Sequence, residues 1–149
     1  MKETTRRLDL EDFLPYRLAV LAKHVSNTFS KTYGERFGLS ISEWRVIAAL
    51  GLYPNSSASI VSRYAALDKV QVSRALAGLI KRNLVNRTTD KLDRRNSILR
   101  LSKKGEEIYT QIVPVALQFE QELTDILSDK ERLQLDNSLT KLMVHHDLL

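Results

Sequence analysis

The residues best equipped for chemistry in this chain fall in one stretch, 68–83, DKVQVSRALAGLIKRN. Arg74 offers a planar guanidinium whose donors match the O6 and N7 acceptors of guanine, a pairing worth about 1–3 kcal/mol of discrimination between bases. Val70 has an apolar tip suited to a thymine methyl, and Gln71 an amide that fits an adenine edge. Lys69 and Lys81 are point charges for phosphates, and the Ser73 hydroxyl suits the same partner. This chemistry reads a surface and breaks no bond. The bland readings are an exposed helical Arg in a salt bridge and a Gln that only completes a helix cap.

These groups converge only on a helix. Asp68 can accept hydrogen bonds from the free N–H groups of a first turn, and Gln71 three residues on completes a capping box. At about 100° per residue, Val72, Ala75, Leu76, Leu79 and Ile80 share one side, with Val70, Arg74, Ala77, Gly78 and Lys81 opposite. A face kept for water alone seldom combines Val, Ala and Gly with two cations, and an interior Gly costs about 1 kcal/mol against Ala. The pattern predicts a recognition helix that enters a DNA groove.

The flanking elements fit that role. Ser57 or a neighbour can cap a short helix over Ile60, Val61 and Tyr64, and only Ala65–Leu67 separate it from Asp68, the spacing of a helix-turn-helix. Asn83 tolerates a left-handed backbone and can end the recognition helix. Segments 84–89 and 97–101 are rich in β-branched and apolar residues, and 90–96 between them reads as a hairpin loop carrying Lys91, Arg94 and Arg95. The predicted fold is mainly α with a small β-hairpin wing (α+β), a winged helix-turn-helix over about 40–101 within a single 149-residue domain.

Longer helices are expected on both sides. Leu14, Leu18, Leu21, Val25 and Phe29 recur at helical spacing after Pro15, predicting a helix over about 13–33 that Gly34 and Gly38 help to end. Ser40 and Glu43 form a second capping box, opening a helix through Trp44 and Leu50 that Gly51 and Pro54 close. Ile108, Ile112, Val115, Phe119 and Ile126 mark a further helix, with a kink expected at Pro114. Ser128 and Glu131 cap the last one, whose stripe is Leu135, Leu139, Leu142 and Met143. These terminal helices, about 13–38 and 103–147, carry more apolar surface than one winged helix can cover, so a homodimer built from both ends is expected.

Charge agrees with a nucleic-acid partner. Residues 62–104 hold 12 Lys and Arg against three acids, a net of +9 that leaves the rest of the chain at −4. Cations placed on phosphates release counterions, which drives association. With no cysteine, disulfides, thiol catalysis and Cys-ligated metals are excluded. No apolar run approaches the roughly 18–20 residues of a membrane span and the first residues lack the apolar core of a signal peptide, so no membrane association and a cytoplasmic protein are expected. No phosphate loop or nucleophile–base pairing stands out, and an enzyme is not expected. A winged-helix module that binds protein or RNA without operator specificity is the alternative.

With these residues in view, the chain resembles the MarR family of bacterial transcription regulators, dimeric winged-helix proteins, over nearly all its length. The likeness rests on DKVQVSR at 68–74, Leu76, Leu79 and IKRNLV at 80–85, then Asp93-Arg94-Arg95 and LSKKG at 101–105, with SEWRVIAAL at 42–50 resembling the family's second helix. Ala66 and Asn83 stand where that family often has Gly. The resemblance implies that Arg95 enters the minor groove, that Asp93 fixes its direction, and that Arg94 is the nearby phosphate partner or substitute reader. It implies double-stranded DNA with a pseudo-palindromic operator as partner, and repression relieved by a small aromatic or anionic effector in the cleft between the dimer helices and the winged helix. Tyr16, His24, Trp44 and Arg45 are the candidates to line that cleft, although core packing explains Trp44 and Tyr16 equally well. Some members of the family bind zinc, but His145 and His146 are adjacent and diverge on a helix, so neither a metal site nor another cofactor is expected.

Overall fold

The computed structural model describes residues 7–93 and 96–149. Its elements run α1 (Leu14–Phe37), α2 (Ile41–Leu52), α3 (Ala58–Ala65), α4 (Lys69–Lys81), β1 (Val85–Thr89), β2 (Ser97–Leu101), α5 (Lys103–Thr124) and α6 (Asp129–His145). They pack as two compact units, one reaching Ile112 and one from Val113 to Leu149, with α5 passing from the first into the second.

In the first unit, α2, α3 and α4 close around Val46, Ile47, Leu50, Val61, Val72, Leu76 and Leu79, with Leu84, Val85, Leu99, Leu101 and Ile112 completing the core. Of the apolar stripe expected on α4, Val72, Ala75, Leu76 and Leu79 are buried and Ile80 is half-buried against the same core. The two strands pair antiparallel from Val85↔Leu101 to Thr89↔Ser97. Ser56 adds a bridge to Leu99 through two backbone bonds of 3.1 and 2.8 Å, and so ties the turn before α3 to the base of the wing. Leu84, expected in the first strand, instead sits fully buried one residue before it, its N–H bonded to Leu79 O.

Other boundaries depart from the sequence reading as well: α3 takes in Ala65, which leaves only Ala66 and Leu67 before Asp68. Helix α1 continues through Gly34 to Phe37 and ends at Gly38, which takes φ 63°. Only the second of the two glycines adopts the left-handed turn that stops a helix. Helix α2 likewise runs through Gly51, whose missing side chain leaves room for the Tyr109 ring: a Cβ there would lie 2.5 Å from it. The last apolar residue of the stripe expected on α5, Ile126, lies beyond the helix and is 90% exposed. Pro114 stands inside α5, which continues through it.

The second unit pairs the end of α5 with α6. The Ser128–Glu131 capping box forms as expected, and Arg132 closes the turn by donating to Leu127 O (3.2 Å) and pairing with Asp125 (3.3 Å). No residue of α6 is buried; Leu117, Leu135 and Leu139 line an open groove between its two helices. On α1, too, Leu14, Leu18 and Leu21 are exposed, and Tyr33 is its one buried residue.

Candidate nucleic-acid interface

The interface is built outward from the start of α4. Asp68 Oδ1 accepts from the Gln71 N–H at 2.8 Å, and Gln71 Oε1 accepts from the Asp68 N–H at 3.0 Å, so the capping box forms. The Gln71 carbonyl is thereby used inside the cap, and only its amino group remains for an outside partner. The turn before α4 places Ala66 at φ 51°, and Ser62 Oγ donates to Leu67 O at 2.6 Å to hold it. At the other end Asn83 takes φ 56°, as its tolerance for that region predicts.

Helix α4 spans 13 residues, about 20 Å, and presents Lys69, Val70, Gln71, Ser73, Arg74, Ala77 and Lys81 outward. Val70 is 57% exposed, the one large apolar side chain of α4 left without cover. Lys69, Val70, Val72, Ser73, Arg74 and Leu76 of α4, Ala58, Ser59 and Ser62 of α3 and Arg87 of β1 together line an open depression of about 780 Å³. Lys81 lies about 10 Å along the axis from Arg74 and outside this depression. Among the described residues two ion pairs form, Arg82–Glu43 and Arg132–Asp125, and Arg74 is in neither. The bland reading of Arg74 as a salt-bridged surface residue therefore has no partner to name.

Arg87 was not among the residues singled out in the sequence. The signal was available in the strand's alternation: Val85 faces the core, but β1 lies at the edge of a two-stranded sheet and every later residue in it is exposed. Which of those exposed residues meets α4 depends on the twist of the hairpin. Conversely, Arg82 belongs to the basic segment yet is turned away from the depression, with its guanidinium on Phe37 O (2.6 Å) and Gly38 O (3.0 Å).

At the tip, Asp90 Oδ1 accepts from the Leu92 N–H, and Asn96 donates to Asp93 O from its backbone and to Asp93 Oδ2 from its side chain. Asp93 thus shapes the loop. Arg94 and Arg95, the expected phosphate and minor-groove contacts, lie outside the described residues.

The four candidates for an effector cleft separate into two groups. Trp44 packs with Phe29 and Tyr33, all three ring pairs lying within 5.0–5.7 Å, and Arg45 is close enough for its charge to act on Tyr33. Burial raises the Tyr33 hydroxyl above its ordinary pKa, and the Arg45 charge partly offsets this. Tyr16 and His24 are exposed on α1, Tyr16 some 25 Å along that helix from Tyr33. Among the described residues no cluster of His, Asp and Glu could hold a metal ion, and no helix is long and apolar enough to cross a membrane.

Comparison with known proteins agrees with this geometry. The MarR family profile matches residues 37–96, the span from the end of α1 to the wing tip. No curated protein sequence matches the chain significantly. Among solved structures, a MarR/EmrR family transcriptional regulator from Acinetobacter sp. ADP1 superimposes with a TM-score of 0.85 at 25% identity, covering 95% of this chain and 100% of that one. BpsR of Bordetella bronchiseptica, whose DNA binding is regulated by 6-hydroxynicotinic acid, matches with a TM-score of 0.82 at 23% identity over 91% of this chain and 96% of its own. S. aureus MepR, solved as a complex with DNA, matches at 0.79 and 20% identity over 90% of this chain and 99% of its own. A helix-turn-helix with its outward row of polar and cationic side chains, the two-stranded wing and the family match over the same segment give the chain the winged-helix fold of the MarR-family transcriptional regulators it superimposes on.

Proposed function

We propose that the protein is a homodimeric repressor that binds a pseudo-palindromic duplex operator, with one α4 in each of two successive major grooves and one wing beside each. The observation that carries this reading is the depression shared by α3, α4 and β1, where Lys69, Arg74 and Arg87 surround an exposed Val70. A phosphate backbone satisfies the cations at the rim, and base edges meet Val70 and Arg74. Arg94 and Arg95 of the wing serve as the phosphate and minor-groove contacts.

Dimerisation is supported by apolar surface that a single chain leaves uncovered on α1 and on α6, where Leu14, Leu18, Leu21, Leu135, Leu139 and Leu142 are all 40% or more exposed. Two copies related by a twofold axis then set their reading helices about 34 Å apart, one turn of DNA. Regulation by a small aromatic anion is supported by the behaviour of BpsR toward 6-hydroxynicotinic acid. A ligand that favours a spacing mismatched to the two grooves lowers operator affinity by population shift.

A mobility shift on duplex from around the protein's own coding region, at physiological salt with excess nonspecific competitor, tests the reading. Competitor-resistant binding that Arg74→Ala weakens supports it. Binding that competitor removes equally from both proteins overturns operator recognition and leaves the protein- or RNA-binding alternative.

A further inference from the structure

At the end of α4 opposite its reading residues, three elements meet on one guanidinium. Arg82 is the residue that caps α4, its N–H bonded to Gly78 O at 3.1 Å. Its Nη2 donates to Phe37 O at 2.6 Å and its Nη1 to Gly38 O at 3.0 Å, the carbonyls at the C-terminus of α1. Nη1 also lies 3.9 Å from Glu43 Oε2, and that carboxylate is held by the Ser40 N–H at 2.9 Å in the cap of α2. The end of α1, the start of α2 and the end of α4 therefore share one joint.

The joint suits Arg and no other side chain. Carbonyls at a helix C-terminus carry partial negative charge that attracts a cation. Two acceptors on consecutive residues call for a planar fork with fixed donor directions, which an ammonium lacks. Gly78 contributes by absence: a Cβ there would stand 2.7 Å from Glu43 Oε1, so a larger residue would push the carboxylate out of place.

We propose that Arg82 is a positioning residue for DNA recognition: it sets the angle at which α4 leaves the body of the protein without touching DNA itself. The proposal rests on the regulator reading above. The lever is long, because a rotation of roughly 10° about Arg82 displaces the far end of a 20 Å helix by about 3 Å, the length of a hydrogen bond. Since α1 is also a proposed dimer helix, the same joint fixes the separation of the two reading helices.

The test is a salt series of duplex binding by the full chain with Arg82 as Arg, Ala or Lys. Arg82→Ala should lower specific affinity about tenfold, the effect of one mismatched base pair, with the slope of log K against log salt unchanged. Arg82→Lys keeps the charge but loses the fork, and should be weakened to a similar extent. A slope reduced by about one in Arg82→Ala, with affinity restored by Lys, would make Arg82 a phosphate contact and overturn the proposal. Undiminished affinity in both variants overturns it as well. If Arg82→Ala does not fold, Arg82→Lys decides by the same criterion. Wild-type protein that prefers no duplex refutes the regulator reading alone. The joint is then judged by amide exchange at Arg82 and Asn83, which Arg82→Lys should speed about tenfold and which an unchanged rate would refute.

Discussion

The carboxylate of Glu43 occupies the space beside Gly78, with Oε1 2.7 Å from where a Cβ would stand. Glycine inside an exposed helix ordinarily costs about 1 kcal/mol against alanine. Here the same replacement must displace a group that also caps α2 and pairs with Arg82. Gly78→Ala should therefore give no net gain in stability, because a lost cap of about 1 kcal/mol offsets the gain in propensity. Urea denaturation checks this, and a full gain of about 1 kcal/mol would mean that Glu43 moves aside without cost.

Gly105 should be far less tolerant. It is buried in the first turn of α5, and a Cβ there would overlap the backbone carbonyl of Leu84, which cannot swing away as a side chain can. Ser102 stitches the same region, its hydroxyl donating to Asn83 O at 2.6 Å and accepting from the Gly105 N–H at 3.0 Å. Gly105→Ala should lower unfolding free energy by about 1–3 kcal/mol, the usual penalty of overpacking, read from the denaturation midpoint.

Ala66 offers a change in the other direction. Its φ of 51° places an L side chain in the left-handed region, at a cost of about 1–2 kcal/mol that glycine escapes. Glycine gives back part of this through the greater freedom of its unfolded chain. Ala66→Gly should stabilise the protein by about 0.5–1 kcal/mol and leave duplex affinity within twofold.

Arg87 reaches the depression from the wing strand and not from the helix. A contact of that kind serves phosphate, so Arg87→Ala should weaken binding to all duplexes alike and reduce the salt slope by about one. Arg74→Ala should also relax the preference for the operator over competitor. Equal loss of preference in the two variants would make Arg87 a base reader.

Glu131 links stability to acid. Ser128 donates to its Oε2 from the backbone at 2.8 Å and from the hydroxyl at 2.7 Å, and these bonds hold the carboxyl below its ordinary value of 4.5. Because the folded pKa is the lower one, the contribution is complete above about 4.5 and is lost as pH falls through the folded value. The melting temperature of the natural protein should drop more steeply from pH 5 to pH 3 than that of Glu131→Gln. Parallel curves would contradict this assignment.

What could be read from the chain, and what could not, divides by distance along it. The three capping boxes, Asp68–Gln71, Ser40–Glu43 and Ser128–Glu131, span three residues each, so their geometry is local and all three form as expected. The buried stripe of α4 follows from helical period alone. The contacts of Glu43 with Gly78, of Tyr109 with Gly51 and of Arg82 with α1 join residues far apart in sequence, and no spacing rule reports them. That is why Gly51 reads as a helix stop and Arg82 as one more cation. Arg87 has no local signature, because membership of a surface depends on strand twist and not only on exposure.

The separation of faces on α4 bears on how such a protein diversifies. Val72, Ala75, Leu76 and Leu79 carry the packing, whereas Lys69, Val70, Ser73, Arg74 and Ala77 make no contribution to the core. Exposed substitutions of this kind usually alter folding by no more than about 0.5 kcal/mol. A lineage can therefore rewrite the outward row one side chain at a time, acquiring new target sequences after a gene duplication while the scaffold that holds them is inherited unchanged.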